Sequence, residues 1–364
     1  MFIKSIKLEN FRNYKQEEFI FEQRNIISGR NAQGKTNILE AIFYLTGGKS
    51  LRGAKEADIV MFSEDYFRIS AEIAQKDRDI NITAEYENGR RKKLLVNGVK
   101  LKTAKELAGR FCAVLFIPDD LHIIKAGAAA RRRFMDRAFS QLRPRYVELS
   151  ERYDRLHAHK TRILRDYHDK PALLDTLDSF NEQLAVCGAG IIRYRAFFLD
   201  RIAAHAREIH REISGGEELD IKYRTVSTVT NPLASEQELY AEIREHMVSH
   251  RTAEIRSGSA LSGPHKDDLE IFINGIPART FASQGQTRTA ALSLKLAELE
   301  LFFEDRGEYP VLLLDDVLSE LDGGRRDIVL NKLSRGQIFI TLCDMGDADR
   351  FSGRIFSIEG GRQI

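Results

Sequence analysis

Short segments in which apolar and polar residues alternate dominate the chain from residue 1 to about 115. Phe19-Ile20-Phe21, Ile26-Ile27 and residues 67–73, 80–86 and 94–96 alternate, or run apolar, as strands do. Asn97-Gly98, set between Val96 and Val99, predicts a two-residue hairpin turn. One apolar helix, carried by Ile38, Leu39, Ile42 and Leu45, interrupts this β-rich region after Gly34. From about Arg131 the period lengthens: Tyr146, Leu149, Tyr153 and Leu156 follow a break at Pro144 in steps of 3 and 4. Leu173, Leu177, Phe180, Leu184, Cys187, Ile191, Tyr194, Phe198 and Ile202 then form a coiled-coil-like stripe. At 1.5 Å per residue that stripe predicts a helix of roughly 45 Å, with Gly188 and Gly190 as points of weakness. The short connection around Pro171 predicts an antiparallel helical arm whose apolar stripe is core.

After Ser214-Gly215-Gly216 a strand is expected over residues 219–225. Ser235 and Glu238 form a capping box before the helix of Leu239, Ile243 and Met247. Residues 258–264 read as a linker. A strand over 269–273 follows and turns at Asn274-Gly275. Val311-Leu312-Leu313-Leu314 is continuously apolar, as parallel-sheet strands are, and residues 338–342 and 355–358 complete that sheet. The prediction is an α/β fold: a discontinuous head of residues 1–120 and 262–364, interrupted by a mostly helical arm over 121–261.

Composition excludes a disordered or fibrous chain: of 364 residues, 43% are hydrophobic and 30% charged. Three widely spaced cysteines without a C-x-x-C pair argue for reduced thiols in a cytosol. No apolar run approaches the roughly 18–20 residues needed to span a bilayer, and no leader pattern opens the chain, so a cytoplasmic protein without membrane attachment is expected. The net charge of +2 names no partner until it is resolved along the chain. Residues 121–170 hold 13 Lys and Arg against 6 Asp and Glu, a net of +7, while residues 297–327 hold 3 against 10, a net of −7.

Gly29-Arg30-Asn31-Ala32-Gln33-Gly34-Lys35-Thr36 matches G-x-x-x-x-G-K-[ST] between a strand and a helix, with Asn37 next inside the helix. The loop's backbone N–H groups and the helix N-terminus suit a nucleotide's phosphates. Lys35 would reach the β- and γ-phosphates, and the Thr36 hydroxyl would ligate Mg²⁺. Asp315, ending the apolar strand, is placed to hold Mg²⁺ through water, and Asp316 to accept a proton from the attacking water or orient it. ATP and Mg²⁺ are therefore the expected ligands.

Ser283-Gln284-Gly285-Gln286 before an apolar helix is, in isolation, a serine-capped turn. Together with the phosphate loop, the Asp315-Asp316 strand end and Ser319-Glu320-Leu321-Asp322, it resembles the signature and D-loop of ABC-type ATPase heads. The motif order resembles the SMC branch, with a far shorter insert. Leu8-Glu9-Asn10-Phe11-Arg12-Asn13-Tyr14, the run from Gly34 to Ala41, Gly263-Pro264-His265-Lys266-Asp267-Asp268 and the run from Leu314 to Asp322 make the resemblance closest to the RecF family of DNA recombination and repair proteins.

That resemblance implies an ATP-dependent homodimer that clamps duplex DNA or a single-/double-strand junction. Ser283 of one copy would cap the nucleotide held at Lys35 of the other. It further implies roles in recombinase loading at gaps, replication restart and SOS induction, RecR and RecO as partners, an association with the nucleoid, and a weak DNA-stimulated ATPase used as a switch. Two departures from the wider ABC pattern point to slow hydrolysis: no Gln lies between Gln75 and Gln141, and no His follows His265, leaving Thr341 or Asp344 near the switch position. The basic arm suggests DNA-phosphate contacts, with Arg131, Arg132, Arg133 and Arg137 as candidates, against a solvated helix face with its arginines paired. Alternative readings are another SMC-like head, an ABC transporter ATPase subunit, for which the coupling Gln is missing, and a small-metabolite kinase, in which residues 283–286 would have no task.

Overall fold

The computed structural model describes residues 1–326, 335–343 and 352–364. It divides into two compact units, Met1–His122 with Lys295–Ile364, and Ile123–Leu294. Asp327 and Asp344 lie outside the described residues.

The first unit holds two sheets. The strands Phe2–Phe11, Tyr14–Ile20, Tyr66–Ala74, Ile80–Glu87, Lys93–Val96 and Val99–Lys100 form an antiparallel six-stranded sheet. Its alternating burial buries one face and wets the other. In the second sheet Arg354–Glu359, Arg24–Ser28, Ile338–Leu342, Val311–Asp315 and Ala113–Phe116 run parallel in that order. The central strands of this sheet are buried along almost their whole length, as their unbroken apolar runs require. Between the sheets lies the helix Lys35–Gly47, apolar all round because strands of both sheets cover it. The strand Ala113–Phe116 has no counterpart in the sequence pattern: four buried residues carry no period that distinguishes strand from helix.

In the second unit the helix Pro144–Asp166 lies antiparallel to Leu177–Ser214. The longer helix runs 38 residues straight through Gly188 and Gly190. These glycines are points of close approach: a Cβ at Gly190 would stand 2.6 Å from Leu149 Cδ1, and one at Gly188 would stand 3.2 Å from Pro264. Leu173 falls in the 3₁₀ turn Pro171–Thr176 that precedes this helix. The return into the first unit comes at Lys295, later than the boundary at 262 read from the sequence. The reason is pairing: the strand Asp268–Ile273 takes Leu219–Arg224 and Ile276–Pro277 as its antiparallel neighbours. Among the described residues no helix is long and apolar enough to cross a membrane.

The segment Gly263-Pro264-His265-Lys266-Asp267-Asp268 is the polar node of this unit. Gly263 has φ 127°, and a Cβ there would meet the Tyr153 hydroxyl at 2.2 Å. His265 bonds Tyr153 Oη through Nδ1 at 2.6 Å and the Ala260 carbonyl through Nε2 at 3.1 Å. The buried Arg195 guanidinium donates to Asp267 Oδ2 and the Pro264 carbonyl at 2.8 Å, and to Asp136 at 2.7 Å. Asp268 receives both arms of Arg131, at 2.6 and 2.9 Å.

Arg131 is thereby corrected as a DNA candidate. It is 2% exposed, and its remaining nitrogen donates to the carbonyls of Ile123, Ile124 and Ala126. Arg132 is half-buried and donates to the Asp267 carbonyl at 2.7 Å. Arg133 is exposed and Arg137 half-buried. Three successive helical residues point in three directions, so a run of charge does not make one surface.

Two outcomes follow. Arg131→Ala should destabilise the protein by roughly 3–5 kcal/mol in urea unfolding, because it strands the Asp268 carboxylate; unchanged stability with weakened DNA binding would instead make Arg131 a DNA contact. Burial, with the neighbouring His157 ring as the next cause, pushes the His265 pKa down from its ordinary 6.5 to about 3. The folded state therefore holds fewer protons than the unfolded chain between those values, and stability is lost as pH falls from about 6.5 toward 3. The loss is about 5 kcal/mol at most. His265→Gln should flatten unfolding free energy against pH in that window, and an unaltered slope would contradict this.

Candidate functional site

The strand Arg24–Ser28 delivers the chain to Gly29, and the helix Lys35–Gly47 leaves from Gly34. Gly34 has φ 118°, and a Cβ there would meet the Asn13 amide at 2.6 Å and the Tyr14 hydroxyl at 2.9 Å, so only glycine fits. The loop is tied down from outside. Asn13 Nδ2 donates to the Gln33 carbonyl at 2.8 Å and Tyr14 Oη to the Gly34 carbonyl at 3.0 Å. Gly361 N donates to the Gln33 carbonyl at 3.0 Å, and Gly360 N to Gln33 Oε1 at 2.6 Å. Asn37 Nδ2 donates to Asn13 Oδ1 at 2.8 Å. Nearby, Glu40, fully buried on the same helix, accepts both arms of Arg12 at 2.9 and 3.0 Å. The Asn13 and Arg12 contacts place the Leu8-to-Tyr14 motif as the outer brace of the loop and its helix.

The Lys35 ammonium folds back into the loop, donating to the carbonyls of Gly29 at 2.5 Å and Arg30 at 3.0 Å. The Thr36 hydroxyl donates to Asp315 Oδ1 at 2.9 Å, and the Thr341 hydroxyl donates to the same oxygen at 2.9 Å. Thr341 Oγ1 also accepts the Asp316 backbone N–H at 2.9 Å. Asp315 and Thr341 are register partners on adjacent parallel strands, and Thr341 pairs in turn with Ile27. The site thus sits at the carboxyl ends of the parallel strands, where such sheets bind ligands.

Asp316 adopts a left-handed conformation with φ 54°, which a short polar side chain tolerates. Ser319 Oγ donates to its carbonyl at 2.7 Å and to Oδ1 at 3.2 Å. The Cys343 thiol lies 3.5 Å from Asp316 Oδ2 and 2.9 Å from Asn31 Oδ1. Burial, followed by the Asp316 charge, pushes its pKa up against the opposing Lys35 ammonium, so the thiol stays a donor. Asp322 accepts the Arg325 backbone N–H at 3.0 Å, which with the Arg325 side chain holds its carboxyl below the usual range.

A cavity of about 480 Å³ opens over these groups, lined by Asn31, Ala32, Gly34 to Asn37, Arg52, Pro118, Asp315, Asp316, Thr341 and Cys343. Arg52, Pro118 and Cys343 carry no signal in the sequence. Thr341 lies on the strand Ile338–Leu342, which follows the acid strand, where its hydroxyl reaches Asp315. Thr36 and Asp315 offer hard oxygens converging within 2.9 Å, a donor pair that suits Mg²⁺ with most of its shell left to water and phosphate.

Ser283, exposed, begins the helix Gln284–Arg306. Its hydroxyl accepts the Gln286 N–H at 3.2 Å while Gln286 Oε1 accepts the Ser283 N–H at 3.0 Å, a complete capping box. Gln286 Nε2 donates to Glu217 at 2.7 Å, within the second unit.

The family model of the RecF/RecN/SMC N-terminal domain matches residues 2–348. The DNA replication and repair protein RecF of Acetivibrio thermocellus is 38% identical over 100% of this chain and 99% of its own. That of Desulforamulus reducens is 39% identical over 99% and 98%. A solved structure of the recombination mediator RecF-ATPrS in the RecFOR pathway superposes with a TM-score of 0.93 at 37% identity, covering 100% of this chain and 97% of the other. An SMC head from Pyrococcus furiosus, with a TM-score of 0.56 at 17% identity, shares the fold. Matched by the family model over residues 2–348 and by these relatives over its whole length, the chain belongs to the RecF family of DNA replication and repair proteins.

Proposed function

We propose that this chain is an ATP-dependent DNA-binding protein of recombinational repair that closes as a dimer on ATP and reopens on slow hydrolysis. The observation that carries the reading is the set formed by Lys35, folded into its own loop, and Asp315, fixed by Thr36 and Thr341. The relatives solved as RecF-ATP and RecF-ATPrS support ATP as the ligand.

On ATP binding the Lys35 ammonium exchanges two loop carbonyls for β- and γ-phosphate oxygens, and the backbone of residues 29–36 cradles the phosphates. Thr36 and Asp315 would hold Mg²⁺, which would supply positive charge against the phosphates. Asp316 orients the attacking water or takes its proton. Its carboxylate is shorter than the glutamate of fast ABC ATPases and is already engaged by Ser319 and Cys343, which fits a slow ATPase that times the complex. Ser283, exposed at a capped helix start, is available to a nucleotide held by a second copy. The γ-phosphate then becomes part of the interface, and ATP stabilises the dimer by linkage.

The closed dimer engages duplex or junction DNA through its backbone, with little sequence preference. RecR and RecO as partners, and roles in recombinase loading, replication restart and SOS induction, accord with the RecFOR pathway named for the solved relative. A different SMC-like head fits less well than a RecF relative because the SMC likeness extends to the fold alone.

Asp316→Asn should bind ATP and hold the dimer through turnover, lengthening its lifetime in a sizing experiment at least tenfold, with Lys35→Ala remaining monomeric as the control. Dimers of Asp316→Asn that dissociate as fast as wild type while ATP is consumed would contradict the assigned role.

A further inference from the structure

The helical arm carries the larger basic excess, but several of its cations are already paired or bonded within the fold. Arg131 is buried on Asp268, and Lys160 is fully buried against Glu254 at 2.7 Å. Arg145 pairs with Glu236, Arg162 and Arg165 with Asp166, and Lys125 donates to the Ala282 carbonyl. A phosphate backbone needs cations that are exposed, on one face and not neutralised.

The first unit holds such a set. Residues 88–102 contain 6 Lys and Arg and no Asp or Glu. They form the outer hairpin of the antiparallel sheet, Lys93–Val96 against Val99–Lys100, closed by the Asn97-Gly98 turn with φ 51° and 77°. Both turn residues are left-handed, which defines a tight type I′ connection and a fixed register. Leu95 stands opposite Lys100, and the Leu101 N–H bonds the Leu94 carbonyl at 2.8 Å, with Lys102 just beyond the paired residues.

Alternation assigns the faces. Lys92, Leu94 and Val96 turn inward, with Lys92 donating to the Gly48 carbonyl and pairing with Glu56 at 2.6 Å. Lys93 and Lys100 therefore share the outer face, Arg91 and Lys102 flank the two strands, and all four are exposed. Among the described residues none of these four forms an ion pair. Glu85, which stands opposite Lys93, pairs with Arg68 at 3.4 Å, and Glu87 pairs with Arg90 at 2.8 Å.

We infer that the outer face of this hairpin, through Arg91, Lys93, Lys100 and Lys102, is a docking surface for the phosphate backbone of duplex DNA. The inference rests on the DNA-binding reading above and moves its contact surface from the helical arm to the sheet edge. An edge strand with lysines also resists pairing with another strand, so the site serves a polyanion rather than a β-partner. Because the turn and the ladder fix the register, Lys93 and Lys100 are pre-positioned, and binding costs little ordering of their backbone.

The test uses the full chain with ATP and a duplex of arbitrary sequence, measured by fluorescence anisotropy between 50 and 300 mM salt. The variant carries Arg91→Gln, Lys93→Gln, Lys100→Gln and Lys102→Gln, none of which lines the nucleotide cavity. Its log affinity against log salt should be shallower than wild type by about 3 to 4, one charge per contact. ATP binding and the unfolding midpoint should stay as in wild type. An unchanged slope and affinity in the variant, with wild type binding normally, would overturn the surface while leaving DNA binding intact. Failure of wild type itself to bind duplex would overturn the functional reading instead. Loss confined to a short acidic peptide offered in parallel, with DNA binding retained, would assign the face to a protein partner and also overturn the inference.

Discussion

One carboxylate oxygen holds the site together. Asp315 Oδ1 receives the hydroxyls of Thr36 and Thr341, each at 2.9 Å, and so joins the end of one strand, the start of the phosphate-loop helix and the adjacent strand. The two strands are neighbours in the parallel sheet, and the helix follows the strand Arg24–Ser28 that pairs with the second of them. Thr341 extends the connection to the Asp316 backbone, which holds that residue left-handed beside the Cys343 thiol. A change at the oxygen, such as its taking up a cation, is therefore felt by both hydroxyls and, through Thr341, by Asp316. Preorganisation of this kind lets binding proceed without rebuilding the site.

The second unit is organised by a comparable node with a different purpose. Asp267 and Asp268 anchor buried guanidinium groups from two helices, and His265 pins the Tyr153 hydroxyl. Buried ion pairs contribute little net stability but penalise every arrangement that separates them, which favours one packing of helices against the small sheet. The motif's glycine belongs to the same design, since only the absence of a Cβ admits Tyr153. This segment is thus structural, although its charged composition resembles that of a binding site.

Much of the site was legible because its residues are consecutive and each meets a geometric demand. Gly34 must be glycine, Lys35 must follow it, and Thr36 must open the helix. Asp315 was legible as the polar end of a fully apolar strand. Thr341 could be placed only near the switch position, because its task depends on the register of two parallel strands. Cys343 and Pro118 enter the cavity through folding alone. The charge run at Arg131 misled for the opposite reason: a count of cations does not reveal which are buried on carboxylates. Gly188 and Gly190 suggested weakness in a helix, whereas their lack of side chains is what permits the close packing of its neighbours. Strand pairing, which composition does not reveal, groups residues 262–294 with the second unit.

The central claim is that nucleotide state sets the association of two copies, with the cavity of one completed by the exposed serine of another. Light scattering on the unmodified protein tests it most directly. With ATP and Mg²⁺ the mass should rise from 41.5 kDa to roughly twice that value, and with ADP it should return to the monomer. A mass that is the same with ATP, with ADP and without nucleotide would contradict the account.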